Sequence, residues 1–371
     1  CSLDCGIPVM GDFMDEVSNR KGKCHPTLRT YYENVIKFQQ ECRQLSYVFS
    51  REWKDIEQLY TQAQMYELKE FGKPSELSQS FLCVLWDICR SVQKAKFAGY
   101  DMFAGCLRIL FRDWNAAIGP RPIVITTNYD VCLECALLHS KQSRSGSAIH
   151  YPGFNLTGDA FIGREDFLEF SPAEPWLSAF EIIKLHGSVN WFEPEPENPE
   201  VCTELKFGDE HSRTRLICQS DDPNTIKYEN KKPLLIPPAL QKLTSNPVII
   251  TQWRAAIRAV SKARQLVVMG YSFAETDTFM TRLIAEGIRE SQALRKIVVV
   301  DPSQNQAWWD RVRAIFGQTW WEKSMVKYRA DFRTAADRLG WNDGHYNRDY
   351  DIVGRLDKAH GDERSRLERI P

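Results

Sequence analysis

Residues 265–301 read QLVVMGYSFAETDTFMTRLIAEGIRESQALRKIVVVD. Leu266-Val267-Val268-Met269 is a short apolar run that ends at Gly270, and Ile297-Val298-Val299-Val300 is a second that ends at Asp301. Runs of this length, bounded by turn residues and rich in β-branched side chains, predict buried strands. Between them Phe279, Met280, Leu283, Ile284 and Ile288 recur at helical spacing. Upstream, Ile249, Trp253, Ala256, Ile257 and Val260 form the same kind of stripe, and Trp308 to Phe316 reads as a further helix. Buried strands alternating with amphipathic helices imply right-handed βαβ crossovers and a parallel sheet.

The pattern extends towards the N-terminus. Pro122 to Thr127 is a β-branched run, hence a strand, followed by a helix over Val131–His139. Glu181 to Leu185 is a short strand that ends at His186-Gly187, and Leu234-Leu235-Ile236 is another, closed by Pro237-Pro238. Residues 193–232 are rich in Pro, Glu, Asp and Lys without an apolar face, which predicts an exposed insertion with a hairpin near Arg215–Cys218. Asp12 to Ala117 reads mainly helical. Leu82, Leu85, Trp86 and Cys89 make a stripe, Pro74-Ser75-Glu76 a helix start and Gly119-Pro120 a stop. The strongly charged segment 341–371 reads as peripheral or partner-dependent.

The chain has 371 residues, enough for two or three domains and a large core without a staple. Lys+Arg is 48 against 49 Asp+Glu, which gives no support for non-specific phosphate binding, so direct nucleic-acid contact is not expected. No apolar run reaches the ~18 residues of a membrane span, and no signal peptide is visible. The 11 cysteines are scattered singly, unlike a secreted disulfide scaffold, and point to a reduced, cytoplasmic protein. The chain opens on Cys1 without an initiator Met, so residues are expected upstream.

Ligands of open parallel sheets bind at the carboxyl ends of strands. Those positions hold Asn128-Tyr129-Asp130, His186-Gly187-Ser188, Gly270-Tyr271-Ser272 and Asp301-Pro302. Any one of these is ordinary turn chemistry. Together they divide the work of dinucleotide recognition. Gly270 admits a diphosphate, Ser272 adds a hydroxyl donor and Asp301 suits a ribose diol. Asn128, Asp130 and His186 remain for the reacting end.

Thr126-Thr127-Asn128-Tyr129-Asp130, Lys184-Leu185-His186-Gly187-Ser188, Gly270-Tyr271-Ser272 and Val299-Val300-Asp301 resemble, in order, the motif series of the sirtuin-like NAD-consuming domains. The opening Cys1-Ser2-Leu3-Asp4-Cys5-Gly6-Ile7-Pro8 resembles the second half of their first motif, whose glycine-rich half and preceding strand are not in the sequence. The resemblance implies a sirtuin-like Rossmann domain, a doubly wound parallel sheet, with a large helical insertion subdomain. Residues 1–19 would start its nucleotide loop, 20–118 form the helical insertion, 119–340 the Rossmann domain with the exposed insertion 193–232, and 341–371 the charged tail.

Two departures bear on activity. Sirtuin deacylases carry a four-cysteine zinc module where this chain offers Cys202, Cys218 and His211, too few for a closed zinc site. Where they pair a strand with an acyl-lysine peptide, this chain has Leu235-Ile236-Pro237-Pro238, and proline removes pairing donors. The chain therefore resembles the bacterial sirtuin-like NAD hydrolases of anti-phage defence more than the deacylases. That resemblance implies cleavage of NAD⁺, a consumed substrate, to nicotinamide and ADP-ribose, with no metal. Asn128 would orient ribose and water, and Asp130, with the backbone near Ile7, would hold the carboxamide. His186 would contact the ribose hydroxyls as general base. Ser2, Gly6, Ile7, Pro8, Gly270, Tyr271 and Ser272 would line the substrate, and Asp301 would hold the adenosine ribose. It further implies a homo-oligomer and an operon partner such as a HerA-type ATPase or a short Argonaute. A non-enzymatic NAD or ADP-ribose sensor subunit, a protein deacylase and a dehydrogenase, for which no second substrate domain or hydride acceptor is seen, are the alternatives.

Other groups read as structural. Cys132-x-x-Cys135 with His139 lies on an apolar helix, where cysteine behaves as a small hydrophobe. Cys1 and Cys5 read as loop residues. Trp308-Trp309 and Trp320-Trp321 lack an accompanying basic stripe and read as core or subunit contacts rather than base-stacking platforms.

Overall fold

The computed structural model describes residues 13–44, 56–69, 76–90, 98–115, 121–139, 148–152, 179–192, 204–205, 233–237, 246–273, 277–302, 305–330, 332, 334–335 and 368–370. It opens with five helices: α1 (Phe13–Arg20), α2 (Arg29–Gln44), α3 (Ile56–Lys69), α4 (Glu76–Arg90) and α5 (Ala98–Asn115). The stripe of Leu82, Leu85, Trp86 and Cys89 lies on α4, where all four are buried. The first strand, β1 (Ile123–Thr126), and a short helix, α6 (Cys132–His139), follow.

Strands β2 (Ala148–His150) and β3 (Ala179–Lys184) complete a parallel sheet of order β1-β3-β2. Then come β4 (Gly187–Phe192), β5 (Glu204–Leu205) and β6 (Pro233–Leu235), a small antiparallel sheet with β4 in the middle. The C-terminal part alternates α7 (Pro247–Lys262), β7 (Gln265–Met269), α8 (Thr278–Glu290), β8 (Lys296–Val300), α9 (Gln306–Phe316), α10 (Gln318–Lys323) and β9 (Met325–Arg329). In its sheet, β7, β8 and β9 are parallel, and β10 (Glu368–Ile370), from the charged tail, adds an antiparallel edge.

The described strands thus form two parallel groups rather than one continuous sheet. Both groups share the same covering layers, as the alternation of side chains along each strand shows. On β3, Ile182 faces a core built with the N-terminal helices, while Ile183 joins the core of α7, α8 and α9. On β8, Ile297 and Val299 face α7–α9, whereas Val298 and Val300 pack towards Cys106 of α5. Parallel strands covered on both faces must be apolar throughout, which is why these runs do not alternate in sequence. Local chemistry fixes the helix starts. Asn246 accepts from the Val248 amide at 3.0 Å with Pro247 in the first turn of α7, and Asn305 caps α9 by accepting from Ala307 at 2.9 Å.

Trp308 and Trp309 are core residues of the α7–α9 layer, and Cys132 is buried in the core of the N-terminal layer. Gly119-Pro120, the hairpin near Arg215–Cys218, most of the insertion 193–232 and Ser2, Gly6, Ile7 and Pro8 lie outside the described residues. No described helix is long and apolar enough to cross a membrane.

Candidate active site

Parallel register brings two of the strand-end groups side by side. Thr126 of β1 pairs with Lys184 of β3, so Asn128 and His186 each leave the sheet the same short distance past the last paired residue. The Leu185 amide donates to the Thr126 carbonyl at 3.0 Å, which carries the pairing one step further. Asn128 turns immediately: its amide donates to Thr126 Oγ1 at 3.1 Å, and its side-chain Nδ2 donates to the hydroxyl of Tyr100 on α5 at 3.1 Å.

The neighbours of Asn128 are fastened down. Tyr129 is buried, and its hydroxyl donates to the Ile236 carbonyl at 2.7 Å. Its own carbonyl accepts from the Val189 amide at 2.9 Å and from Ser188 Oγ at 3.3 Å. Burial pushes its phenol well above the ordinary tyrosine range. Asp130 is also buried, and Oδ1 accepts from the Cys132 amide at 2.9 Å, capping α6. Its carboxylate therefore has a local structural task that the sequence did not reveal.

His186 is only 8% exposed and lies between two aromatic rings, Tyr129 at 6.0 Å and Trp253 of α7 at 6.4 Å. Trp253 is held by its indole N–H, which donates to the Leu185 carbonyl at 3.0 Å. The His186 carbonyl accepts from Ile236 at 2.8 Å. Gly187 follows with φ +79°, and a Cβ there would sit 2.1 Å from the Leu234 carbonyl oxygen. The glycine beside the histidine is thus required by the approach of β6, independently of any ligand.

Beneath these loops lies a buried polar cluster. Lys184, fully buried, pairs with Glu134 of α6 at 3.0 Å and donates from Nζ to the Asp130 carbonyl. Tyr151 donates to the same Glu134 oxygen at 3.0 Å. The Lys184 amide donates to Gln252 Oε1 at 2.8 Å, and Gln252 Nε2 donates to the Pro152 carbonyl. One lysine thus ties β3, the Asn128 loop and α6 together, with Gln252 bringing in α7. Sequence reading quoted Lys184 within a motif and missed this role. The signal was a lysine and a glutamine at positions otherwise required to be apolar. Cys89 of α4 is no nucleophile here: burial pushes its thiol up, and the Asp130 charge adds to this.

The second pair of strand ends sits at the same edge of the other sheet. Met269 pairs with Val300, and the Gly270 amide donates to the Val300 carbonyl at 3.1 Å, with Gly270 at φ +60°. Ser272 is exposed, and its carbonyl accepts from the Trp308 indole at 2.7 Å. Phe273 adopts φ +48°, rare for a bulky residue, and is held there by Tyr271, Trp308 and Phe316 at 4.9, 5.7 and 6.0 Å. Tyr271 donates to Asp277 Oδ2 at 2.6 Å, and Asp277 Oδ1 caps α8. Burial, then the Asp277 charge, push the Tyr271 phenol far above its usual range. Tyr271 is thereby a brace for the loop. Asp301 is buried, and its backbone bonds with Tyr328 of β9 and with Ala330 just after it.

Trp253 connects the two halves, contacting His186 on one side and Phe279 of α8, at 6.0 Å, on the other. Asn128, Asp130 and His186 are therefore grouped at one sheet edge, and Gly270, Tyr271, Ser272 and Asp301 at the corresponding edge of the other. Residues 122–306 match a family model described as a SIR2-like domain. Over that span the chain belongs to the sirtuin-like family. No curated relative matches the chain. All four strand-end groups fall inside the matched span, whereas α5, with Tyr100, lies outside it. SIR2-like domains use NAD⁺. Among the described residues no group of three His, Cys, Asp or Glu side chains could hold a metal ion, and Cys202, Cys218 and His211 lie outside them.

Proposed function

We propose that the chain is an NAD⁺ glycohydrolase built on a sirtuin-like Rossmann domain, residues 119–340, with the helices of 20–118 as an insertion. The observation that supports this reading is the register of β1 and β3, in which Thr126 pairs with Lys184, so that Asn128 and His186 each follow two residues past adjacent strand ends. Hydrolysis breaks the bond between nicotinamide nitrogen and ribose C1′. Water supplies the new C1′–O bond, nicotinamide leaves with the bonding pair, and one proton is released. Positive charge builds on the ribose as in other glycosyl transfers.

The chain's own groups suit that step. The Asn128 carboxamide is held through Nδ2, so its oxygen is turned to accept from a water or a ribose hydroxyl. His186 accepts the proton, imidazole being the side chain most often used as a general base. The apolar rings of Tyr129 and Trp253 keep bulk water from the histidine. Asp130 fixes the loop by capping α6 and, with the backbone near Ile7, holds the carboxamide. Gly270, Tyr271 and Ser272 carry the diphosphate loop together with Ser2, Gly6 and Pro8, and Asp301 takes the adenosine ribose.

An enzyme that destroys NAD⁺ must be held silent until needed. The reading therefore includes regulation within a homo-oligomer or by an operon partner, such as a HerA-type ATPase, in anti-phage defence. The test is incubation of the full-length protein with NAD⁺, alone and with its operon neighbour, with nicotinamide and ADP-ribose followed over time. Nucleotide binding without product in either case would favour the sensor subunit, and NAD⁺-dependent removal of acyl groups from lysine would favour the deacylase.

A further inference from the structure

The hydroxyl that meets Asn128 does not come from the SIR2-like segment. Tyr100 lies in the first turns of α5, ahead of the matched span, and is 6% exposed. Its ring packs against Phe332 at 5.3 Å, and Phe103, one turn on, packs against the same Phe332 at 5.6 Å. Further along α5, Arg108 donates from Nη2 to the carbonyls of Ala136 and Leu137, at 2.7 and 2.6 Å, at the C-terminal end of α6. Helix α5 therefore clasps the Asn128 loop at one point and the helix that follows this loop at another. Two of its side chains, Cys106 and Leu110, also pack on the β7–β9 sheet. A helix so placed cannot shift without disturbing the loop.

We propose that Tyr100 is the positioning residue for Asn128, and that through it the N-terminal helices set whether the site is competent. This rests on the glycohydrolase reading. Among the described residues, the second constraint on Asn128 is at its backbone, through Thr126 Oγ1, so the side-chain amide is oriented by the Tyr100 hydroxyl. Losing that contact lets the amide rotate away from the geometry the reaction needs, and small misplacements of reacting groups are costly. A partner or a second subunit that moves α5 would act on the enzyme through this contact.

Tyr100→Phe removes the hydroxyl and keeps the ring on Phe332. The expected result is a kcat lower by roughly 10–100-fold, with KM for NAD⁺ and the melting temperature unchanged. A merely structural role would move melting temperature and leave kcat. A second readout is independent of turnover. In full-length protein labelled with [¹⁵N]Asn, the side-chain amide signal identified by its loss in Asn128→Ala shifts in Tyr100→Phe. An unmoved signal overturns the proposal, as does a kcat within twofold of wild type. A wild-type protein that releases no nicotinamide in any setting overturns the glycohydrolase reading instead, and the amide signal alone then decides whether Tyr100 orients Asn128.

Discussion

Replacing Lys184 by methionine keeps an unbranched side chain of nearly the same reach and deletes its charge. Lys184 is fully buried, and Glu134 beside it has a side chain only 2% exposed. Once the ammonium is gone, the Glu134 carboxylate keeps the Tyr151 hydroxyl as its donor, and the Asp130 carbonyl loses its contact. Breaking a buried pair from one side costs about 3–5 kcal/mol, because an uncompensated charge stays behind. Lys184→Met should therefore lower unfolding free energy by about that amount. In Lys184→Met/Glu134→Gln the charge left behind is also removed, and the amide oxygen still accepts from Tyr151. The remaining deficit is then the lost hydrogen bond from Lys184 Nζ to the Asp130 carbonyl, about 1–3 kcal/mol. Urea titrations followed by tryptophan fluorescence compare the three proteins. A single variant within about 1 kcal/mol of wild type, or a double variant no better than the single, would refute the argument.

Other consequences follow from single contacts. Gly187→Ala forces a Cβ to within 2.1 Å of the Leu234 backbone oxygen at a positive φ, so it should yield little soluble protein; normal yield and melting temperature would show that β6 can retreat. His150 is held neutral by burial and by the nearby Arg121, its pKa pushed down to about 4, although Glu181 stands 3.9 Å away. Its unfolded value is about 6.5, so below that pH the unfolded chain binds a proton that the folded one refuses. Stability from this group is complete above about pH 6.5 and is lost as pH falls towards about 4, by about 3 kcal/mol in all. His150→Gln should flatten that part of the pH profile, and an identical profile would remove His150 as its source.

The βαβ rhythm of residues 247–316 was plain in the sequence because strands covered on both faces must be apolar along their whole length. The strand-end positions of Gly270 and Asp301 followed from the same runs, and those of Asn128 and His186 from the runs Pro122–Thr127 and Glu181–Leu185. Strand β2 was not legible, since Ala148-Ile149-His150 is too short to show a period. Strand β9 was hidden because Met325-Val326-Lys327-Tyr328-Arg329 contains two basic residues. Lys327 is accommodated there by placing its ammonium 4.1 Å over the Trp321 ring. Nor could spacing show that Tyr100 meets Asn128, or that Asp130 and Asp277 serve as helix caps, because such contacts depend on tertiary packing. Glycine at 187 looked like part of a ligand loop and proved to be demanded by the neighbouring strand.

The central claim is that Asn128 and His186 act together on NAD⁺. Its most direct test is nicotinamide release by the full-length wild-type protein, Asn128→Ala and His186→Ala, each assayed alone and together with the product of a neighbouring gene, and each shown to fold normally. The account predicts stoichiometric nicotinamide and ADP-ribose from wild type, with each variant slower by about 10²–10⁴-fold. Release by either variant at a rate within a few-fold of wild type would contradict it.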